Sequence, residues 1–152
     1  MKPVAELSTK PPRFSRSRIG EAYAANRGQE AMRWMWPHRS LIGAGVPAPG
    51  HSDFAVCRVS PWTAIAAMVN RRTTTGADLD LREAIAPREA VRAYTWLGAW
   101  AQREEHEKGS LEVGKLADLV VLDRDVLDGD PAAIAGTQVV ATVVGGALRY
   151  RA

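Results

Sequence analysis

The chain has 152 residues, of which 46% are hydrophobic and 24% charged, as in one ordinary globular domain. Its net charge of +3 is uneven, because residues 1–40 carry eight Lys/Arg and three Asp/Glu whereas the rest carries twelve and fourteen. A basic start can be a nucleic-acid arm, but no nucleic-acid motif follows, so we expect a solvated terminus and no nucleic-acid partner. The lone Cys57 excludes an internal disulfide, and no signal-peptide pattern follows Met1, so a cytoplasmic location is expected.

The first fifty residues predict short helices separated by breakers. Prolines disfavour a long helix over residues 1–17. Residues 20–41 are rich in helix formers but are limited by Gly28 and Pro37, which predicts one broken helix or two short ones. Residues 43–50 are rich in glycine and proline and predict a loop.

Two further helices are predicted before residue 105. Ser60 followed by Pro61 is typical of a helix start, so Pro61–Arg71 is predicted as a helix with Ser60 as N-cap. Thr73–Ala86 is expected to be a polar loop. Pro87–Arg103 is predicted as one continuous helix with proline in its first turn. The apolar positions with helical spacing are Ile65, Met68 and Val69 in the first helix, and Val91, Tyr94, Trp96, Leu97 and Trp100 in the second.

The pattern changes to strands after residue 105. Leu119–Leu122 is a short apolar run between two aspartates, which predicts a strand covered on both faces. Gly145-Gly146 between two β-prone runs is typical of a two-residue hairpin loop. Pro131–Leu148 is uncharged over eighteen residues, long enough to raise the question of a membrane span. Its proline and glycines favour two short strands instead, so no membrane interaction is expected.

The ending of the chain resembles one known family. Lys108–Asp123 reads KGSLEVGKLADLVVLD and Thr142–Tyr150 reads TVVGGALRY. This combination resembles the closing segment of the amidohydrolase superfamily, in particular its YtcJ-like branch, and residues 39–47 and 87–95 resemble earlier family segments in the same order. The resemblance implies an α/β fold, namely the C-terminal part of a (β/α)₈ TIM-type barrel plus strands of a small β-sandwich. A full barrel needs about 250 residues, so the barrel would be incomplete in this chain.

The resemblance also implies a division of the chain. Residues 1–105 would form the C-terminal part of the metal-dependent hydrolase barrel, and residues 106–152 would supply strands of the accessory, composite β-sandwich. Val46–Asp53 would be the last barrel strand with its catalytic rim. Pro49 conflicts with a central strand there, because proline cannot donate to the strand ladder.

The strongest candidate for chemistry is Asp53, which follows His51 and Ser52. In the family that the chain resembles, a Ser-Asp pair ends the last strand, and the aspartate binds a divalent metal and acts as base for the hydrolytic water. The resemblance assigns these catalytic and metal-binding roles to Asp53, with zinc as the expected metal. A carboxylate at a barrel's C-terminal rim is suited to both. His51 and Ser52 are further candidates for substrate contact or for support of the metal ligand, while the simpler expectation for His51 is a partly buried, hydrogen-bonded histidine.

The other metal ligands of the family are missing from the sequence. Catalytic zinc sites use three protein ligands and an open position, yet no His-x-His pair exists, and neither His38 nor His106 matches a ligand position. The resemblance therefore implies a hydrolase of non-peptide C–N bonds, acting on a small-molecule amide or cyclic amide, that needs a complementing chain for activity. The alternative is a non-catalytic remnant or interaction module whose open strand edges pair with another chain or a second copy.

Overall fold

The computed structural model describes residues 25–51, 59–72 and 78–152. In these ranges short helices are followed by one three-stranded antiparallel sheet with strand order β1-β2-β3. No described helix has the length and apolar character needed to cross a membrane. The elements are helices α1 (Gln29–Arg33), α2 (His38–Gly43), α3 (Trp62–Asn70), α4 (Pro87–Tyr94) and α5 (Trp96–Ala101), two 3₁₀ helices (Leu81–Glu83 and Pro131–Gly136), and strands β1 (Leu119–Leu122), β2 (Val139–Val144) and β3 (Ala147–Arg151).

The helical stretch predicted near residues 20–41 is confirmed as short pieces over its described part. Gly28 adopts φ 78°, a backbone conformation that glycine tolerates without a Cβ clash, and it separates residues 25–27 from α1. Pro37 is the N-cap of α2. Arg71, buried at the C-terminal end of α3, donates from its guanidinium to the carbonyls of Met32 and Met35 at 3.4 and 3.1 Å. This side chain therefore ties the α1 region to α3.

Helix α3 lies at the centre of the hydrophobic core. Its Ile65 and Met68 are 1% and 6% exposed, which confirms the predicted helical spacing. The helix begins one residue later than predicted, because Pro61 rather than Ser60 is the N-cap and no side-chain cap bond forms. The core joins residues from both sides of residue 105, and its buried members are Trp62, Ile65, Ala66, Met68, Ile85, Ala90, Val126 and Ile134. The division into residues 1–105 and 106–152 remains a prediction.

The continuous helix predicted over Pro87–Arg103 is wrong at Thr95. This residue adopts φ −115° and ψ −91°, which ends α4 and separates it from α5. Its Oγ1 donates to the carbonyl of Val91 at 3.0 Å, a bond by which threonine competes with the helical backbone and bends it. Of the predicted apolar positions, Leu97 is buried as expected, whereas Trp100 is 40% exposed. The buried Ala90 and Ala93 were not among the predicted positions.

The C-terminal strands follow the predicted order, but their burial differs from the prediction. β1 matches the predicted Leu119–Leu122, and Gly145 and Gly146 take φ 57° and 77°, as a primed two-residue hairpin requires. Burial of β1 on both faces is wrong, because Val120 and Val121 are 48% and 47% exposed. These neighbours point to opposite faces of the sheet, so each face carries apolar surface open to solvent.

No strand is assigned over the described part of the predicted barrel strand Val46–Asp53, which is residues 46–51. The segment contains Pro47 and Pro49, which have no N–H to offer a neighbouring strand. The strands of the described residues belong to the antiparallel C-terminal sheet, so the closed parallel barrel implied by the resemblance remains a proposal.

Candidate functional site

The predicted site residues are His51, Ser52 and Asp53. Ser52 and Asp53 fall outside the described residues, and His51 immediately precedes them. The prediction that His51 is partly buried is wrong, because its side chain is exposed. Its carbonyl oxygen accepts a hydrogen bond from the Tyr94 hydroxyl at 3.2 Å. The structure therefore fixes the backbone that leads into the predicted site.

Gly50 is held against the end of α4. Its N–H donates to the carbonyl of Ala93 at 3.0 Å. The Tyr94 ring packs so closely on Gly50 that a Cβ there would overlap Cε2 of the ring and lie 2.8 Å from Cδ2 and Cζ. A side chain at this position would therefore have to displace the Tyr94 ring, which is a packing constraint that the local sequence does not reveal.

The other two histidines do not lie in a metal-binding arrangement. His38 is 5% exposed, and its Nδ1 lies 3.2 Å from the carbonyl of Trp36. Burial and the nearby Arg71 cation lower the pKa of His38, against the opposing influence of that carbonyl and of Glu83. His106 is exposed and its Nε2 lies 3.6 Å from Glu105. Across residues 25–51, 59–72 and 78–152, no group of three or more His, Cys, Asp or Glu side chains could hold a metal ion.

The described residues therefore do not fit a complete metal centre. A catalytic zinc site needs three protein ligands, whereas the three histidines lie in separate environments. His38 is buried near a guanidinium, His51 is exposed, and His106 lies beside the partly buried Glu105. The roles predicted for Asp53 and for a complementing chain remain proposals.

A buried carboxylate that sequence reasoning missed lies in the predicted polar loop. Glu83 is 1% exposed, and it accepts hydrogen bonds from the N–H and the hydroxyl of Ser40. Arg33 Nε lies 3.6 Å from the same carboxylate. Burial raises the pKa of Glu83, but the Ser40 bonds and the Arg33 charge outweigh it, so the net pKa lies below its ordinary value. The arrangement joins α1, α2 and the first 3₁₀ helix, and it gives Glu83 a structural role.

The two aspartates that flank β1 in the sequence accept hydrogen bonds from the backbone at the ends of the sheet. Asp118 Oδ1 accepts from the N–H of Gly145 at 2.7 Å, which holds the hairpin. Asp123 Oδ1 accepts from the N–H of Gln138 at 2.9 Å. The Arg124 guanidinium, together with that N–H, lowers the pKa of Asp123 to about 2. These contacts hold the ends of the sheet, and they give Asp118 and Asp123 a structural role.

Comparison with known proteins decides the family. A model described as the amidohydrolase family matches residues 1–150. The chain belongs to this family. The N-substituted formamide deformylase of Arthrobacter pascens is 41% identical to this amidohydrolase chain over 137 residues, which cover 86% of the chain and 24% of the relative. The putative amidohydrolase YtcJ of Bacillus subtilis is 28% identical over 126 residues, which cover 81% of the chain and 24% of the relative.

A solved structure agrees with the sequence comparisons. An uncharacterized metal-dependent hydrolase from Pyrococcus horikoshii superimposes with a TM-score of 0.63 at 25% identity, covering 75% of this chain and 24% of that one. The chain thus spans about a quarter of the length of the relatives it matches. The predicted resemblance is confirmed, and so is a mixed helix and strand fold related to a part of the amidohydrolase structures.

Proposed function

We propose that this chain is the C-terminal part of a metal-dependent amidohydrolase that hydrolyses non-peptide C–N bonds of small amides. The observation that carries the proposal is its 41% identity to an N-substituted formamide deformylase over 137 residues. The substrate class suggested by that relative is an N-substituted formamide. The lone Cys57 supports a reducing, cytoplasmic setting.

The chain would contribute Asp53 to the site in two roles. Asp53 would be a ligand of a divalent metal, with zinc as the first candidate, and it would accept the proton from the hydrolytic water. His51 and Ser52 would contact the substrate or support Asp53. A carboxylate beside a metal would be suited to take this proton, because the metal makes the bound water more acidic. The remaining ligands would come from a complementing chain, because the described residues hold no ligand cluster of their own.

Exposure of the sheet supports the need for a complementing chain. Val120, Val144 and Leu148 are 48%, 46% and 59% exposed, although they lie in the middle or at the ends of paired strands. Apolar residues on both faces of a sheet are normally covered by another layer. Together with the 24% coverage of its relatives, this favours a chain whose covering layer is supplied by the rest of an amidohydrolase.

A hybrid enzyme tests the proposal. The chain would replace the matched segment of the Arthrobacter pascens deformylase, and hydrolysis of an N-substituted formamide would be measured. We expect an active hybrid, and we expect Asp53→Asn to reduce turnover by at least about 10³-fold, because a neutral amide neither accepts the proton nor matches a carboxylate ligand. Glu107→Gln, which removes an exposed carboxylate instead, is the matched control. Full turnover of the Asp53→Asn hybrid would contradict the role of Asp53.

The second candidate is a non-catalytic interaction module. It is favoured by the exposed apolar sheet and by the absence of a ligand cluster among the described residues. In that case the hybrid would fold and bind no metal, and the isolated chain would associate with itself or with another chain through its strands.

A further inference from the structure

Two buried basic side chains, Arg71 and His38, meet at the carbonyl oxygen of Trp36. Arg71 Nη1 donates to this oxygen at 3.4 Å, and His38 Nδ1 lies 3.2 Å from it. Arg71 and His38 are only 3% and 5% exposed. Because a carbonyl oxygen accepts and does not donate, Nδ1 carries the hydrogen of the neutral His38 ring, and a further proton would bind at Nε2. A charged His38 would then share one buried acceptor with a guanidinium of the same charge.

The Arg71 guanidinium holds the backbone around Trp36 through uncharged acceptors. It also donates to the carbonyls of Met32 and Met35 at 3.4 and 3.1 Å, and to the carbonyl of Asp80 at 3.2 Å. Trp36, Arg71 and Asp80 adopt φ angles of 58°, 47° and 50°, a backbone region that is uncommon outside glycine. Such conformations persist where the surrounding structure enforces them. The bonds of this one guanidinium therefore contribute to holding three unfavourable backbone positions.

The carboxylates near this cluster already have partners. Within the described residues, the charged groups that the neighbouring elements bring here are Glu30 and Arg33 from α1, Arg71 from the end of α3, and Asp80, Arg82 and Glu83 from the first 3₁₀ helix and its N-cap. Glu83 accepts two hydrogen bonds from Ser40, and Asp80 accepts from Arg82 with both carboxylate oxygens. Glu83 favours a charged His38 ring, but burial and Arg71 outweigh it, so the pKa of His38 is lowered.

We propose that His38 is a pH-sensitive latch between residues 32–38 and the end of α3. With a neutral ring, His38 and Arg71 bind the Trp36 carbonyl together, and the segment stays on α3. A proton on Nε2 places two like charges at one buried oxygen, which favours a conformation in which residues 32–38 leave Arg71 and the ring reaches water. Helix α3 stays in place, because its Ile65 and Met68 belong to the hydrophobic core. The latch is independent of the proposed hydrolysis, since no residue of the predicted site takes part in it.

Amide hydrogen exchange of the full 152-residue chain tests the latch. Protection relative to an unstructured peptide would be followed by NMR between pH 7.5 and 5. The reporters are the N–H of His38, which donates to the Trp36 carbonyl at 2.8 Å, and the N–H of Ser40, which donates to Glu83 at 2.9 Å. We expect protection of both amides to fall about tenfold as His38 becomes charged, while the amides of β2 keep theirs. Unchanged protection at both reporters, or an equal loss at β2, would overturn the proposal.

A pair of histidine variants assigns the effect to His38. His38→Gln stays uncharged and its amide N–H can still donate to the Trp36 oxygen, so protection at Ser40 should no longer depend on pH. His106→Gln changes an exposed side chain and should behave like the parent chain. A pH-dependent loss that persists in His38→Gln would refute the latch.

The parent chain gives a second test that needs no variant. The NMR resonances of the His38 ring should titrate with the same midpoint as the loss of protection at Ser40, because one proton causes both changes. Coinciding midpoints would support the latch. Loss of protection at a pH where the His38 ring is still neutral would overturn it.

Discussion

Gly50 directly precedes the predicted site residues and packs against the ring of Tyr94. Any side chain there would enter the space of the Tyr94 ring. We expect Gly50→Ala to lower the free energy of unfolding by about 1–3 kcal/mol, as overpacking does elsewhere. Gly98→Ala is the matched control, because Gly98 lies inside α5 with nothing within 4 Å of its Cβ position, and it should stabilise by about 0.5–1 kcal/mol. Urea unfolding of both variants checks the prediction, and equal effects would contradict it.

His38 should make stability depend on pH. Its pKa is lowered in the folded chain by burial and by the Arg71 cation, with Glu83 acting in the opposite direction. Between that lowered pKa and the ordinary value near 6.5, the unfolded chain binds more protons than the folded one, so stability falls as the pH falls through this window.

Urea unfolding between pH 7.5 and 5 measures this dependence. His38→Gln should flatten the curve below about pH 6.5, whereas His106→Gln, which changes an exposed side chain, should leave the curve as it is. A His38→Gln curve with the slope of the parent chain would contradict the prediction.

At the scale of elements, the Glu83 carboxylate joins α1, α2 and the first 3₁₀ helix. We expect Glu83→Ala to lower the free energy of unfolding by about 1–3 kcal/mol, because it leaves the partly buried N–H of Ser40 without its acceptor and removes one ion-pair partner of Arg33. Glu107→Ala, at an exposed position, should change it by less than about 0.5 kcal/mol. Thermal or urea unfolding distinguishes the two, and an equally small effect at both positions would mean that the Glu83 contacts add no stability.

The secondary-structure elements that depend on neighbouring residues could be predicted from the sequence. Gly145-Gly146 predicted the hairpin because two adjacent positive φ angles favour glycine. The break at Thr95 was missed because threonine fits within a helical pattern, and its Oγ1 bond to Val91 becomes visible only in the structure. Glu83 was missed for a stronger reason, since its partner Ser40 lies 43 positions away in the sequence and no local signal marks such a pair.

The site was predictable in part. Asp53 and Ser52 were predicted from a family resemblance, and His51 from its place directly before them. The membership of the chain in that family is established, while the roles of these residues remain proposals. The contact between Gly50 and Tyr94 could not be predicted, because glycine in a Gly/Pro-rich loop is expected for reasons of the local backbone alone. The need for glycine arises instead from a tyrosine ring on a distant helix.

At the scale of the whole molecule, the exposed sheet is expected to drive association. The isolated chain should form concentration-dependent oligomers, and Val120→Lys combined with Val144→Lys should shift it toward monomer by placing charge on apolar surface of the sheet. Val113→Lys adds a charge at a fully exposed position outside the strands and is the control. Sedimentation velocity measures the effect. A monodisperse parent monomer with cooperative unfolding would contradict this expectation.

The central proposal for the whole molecule is that this chain is one part of an amidohydrolase and holds no complete metal centre. The most direct test is metal analysis of the purified 152-residue chain beside the hybrid deformylase, after equilibration with zinc and removal of loosely bound ions. We predict stoichiometric zinc in the hybrid and well below one zinc per molecule in the chain alone, because the described residues offer no cluster of three ligands. One tightly bound zinc per isolated chain would contradict the proposal.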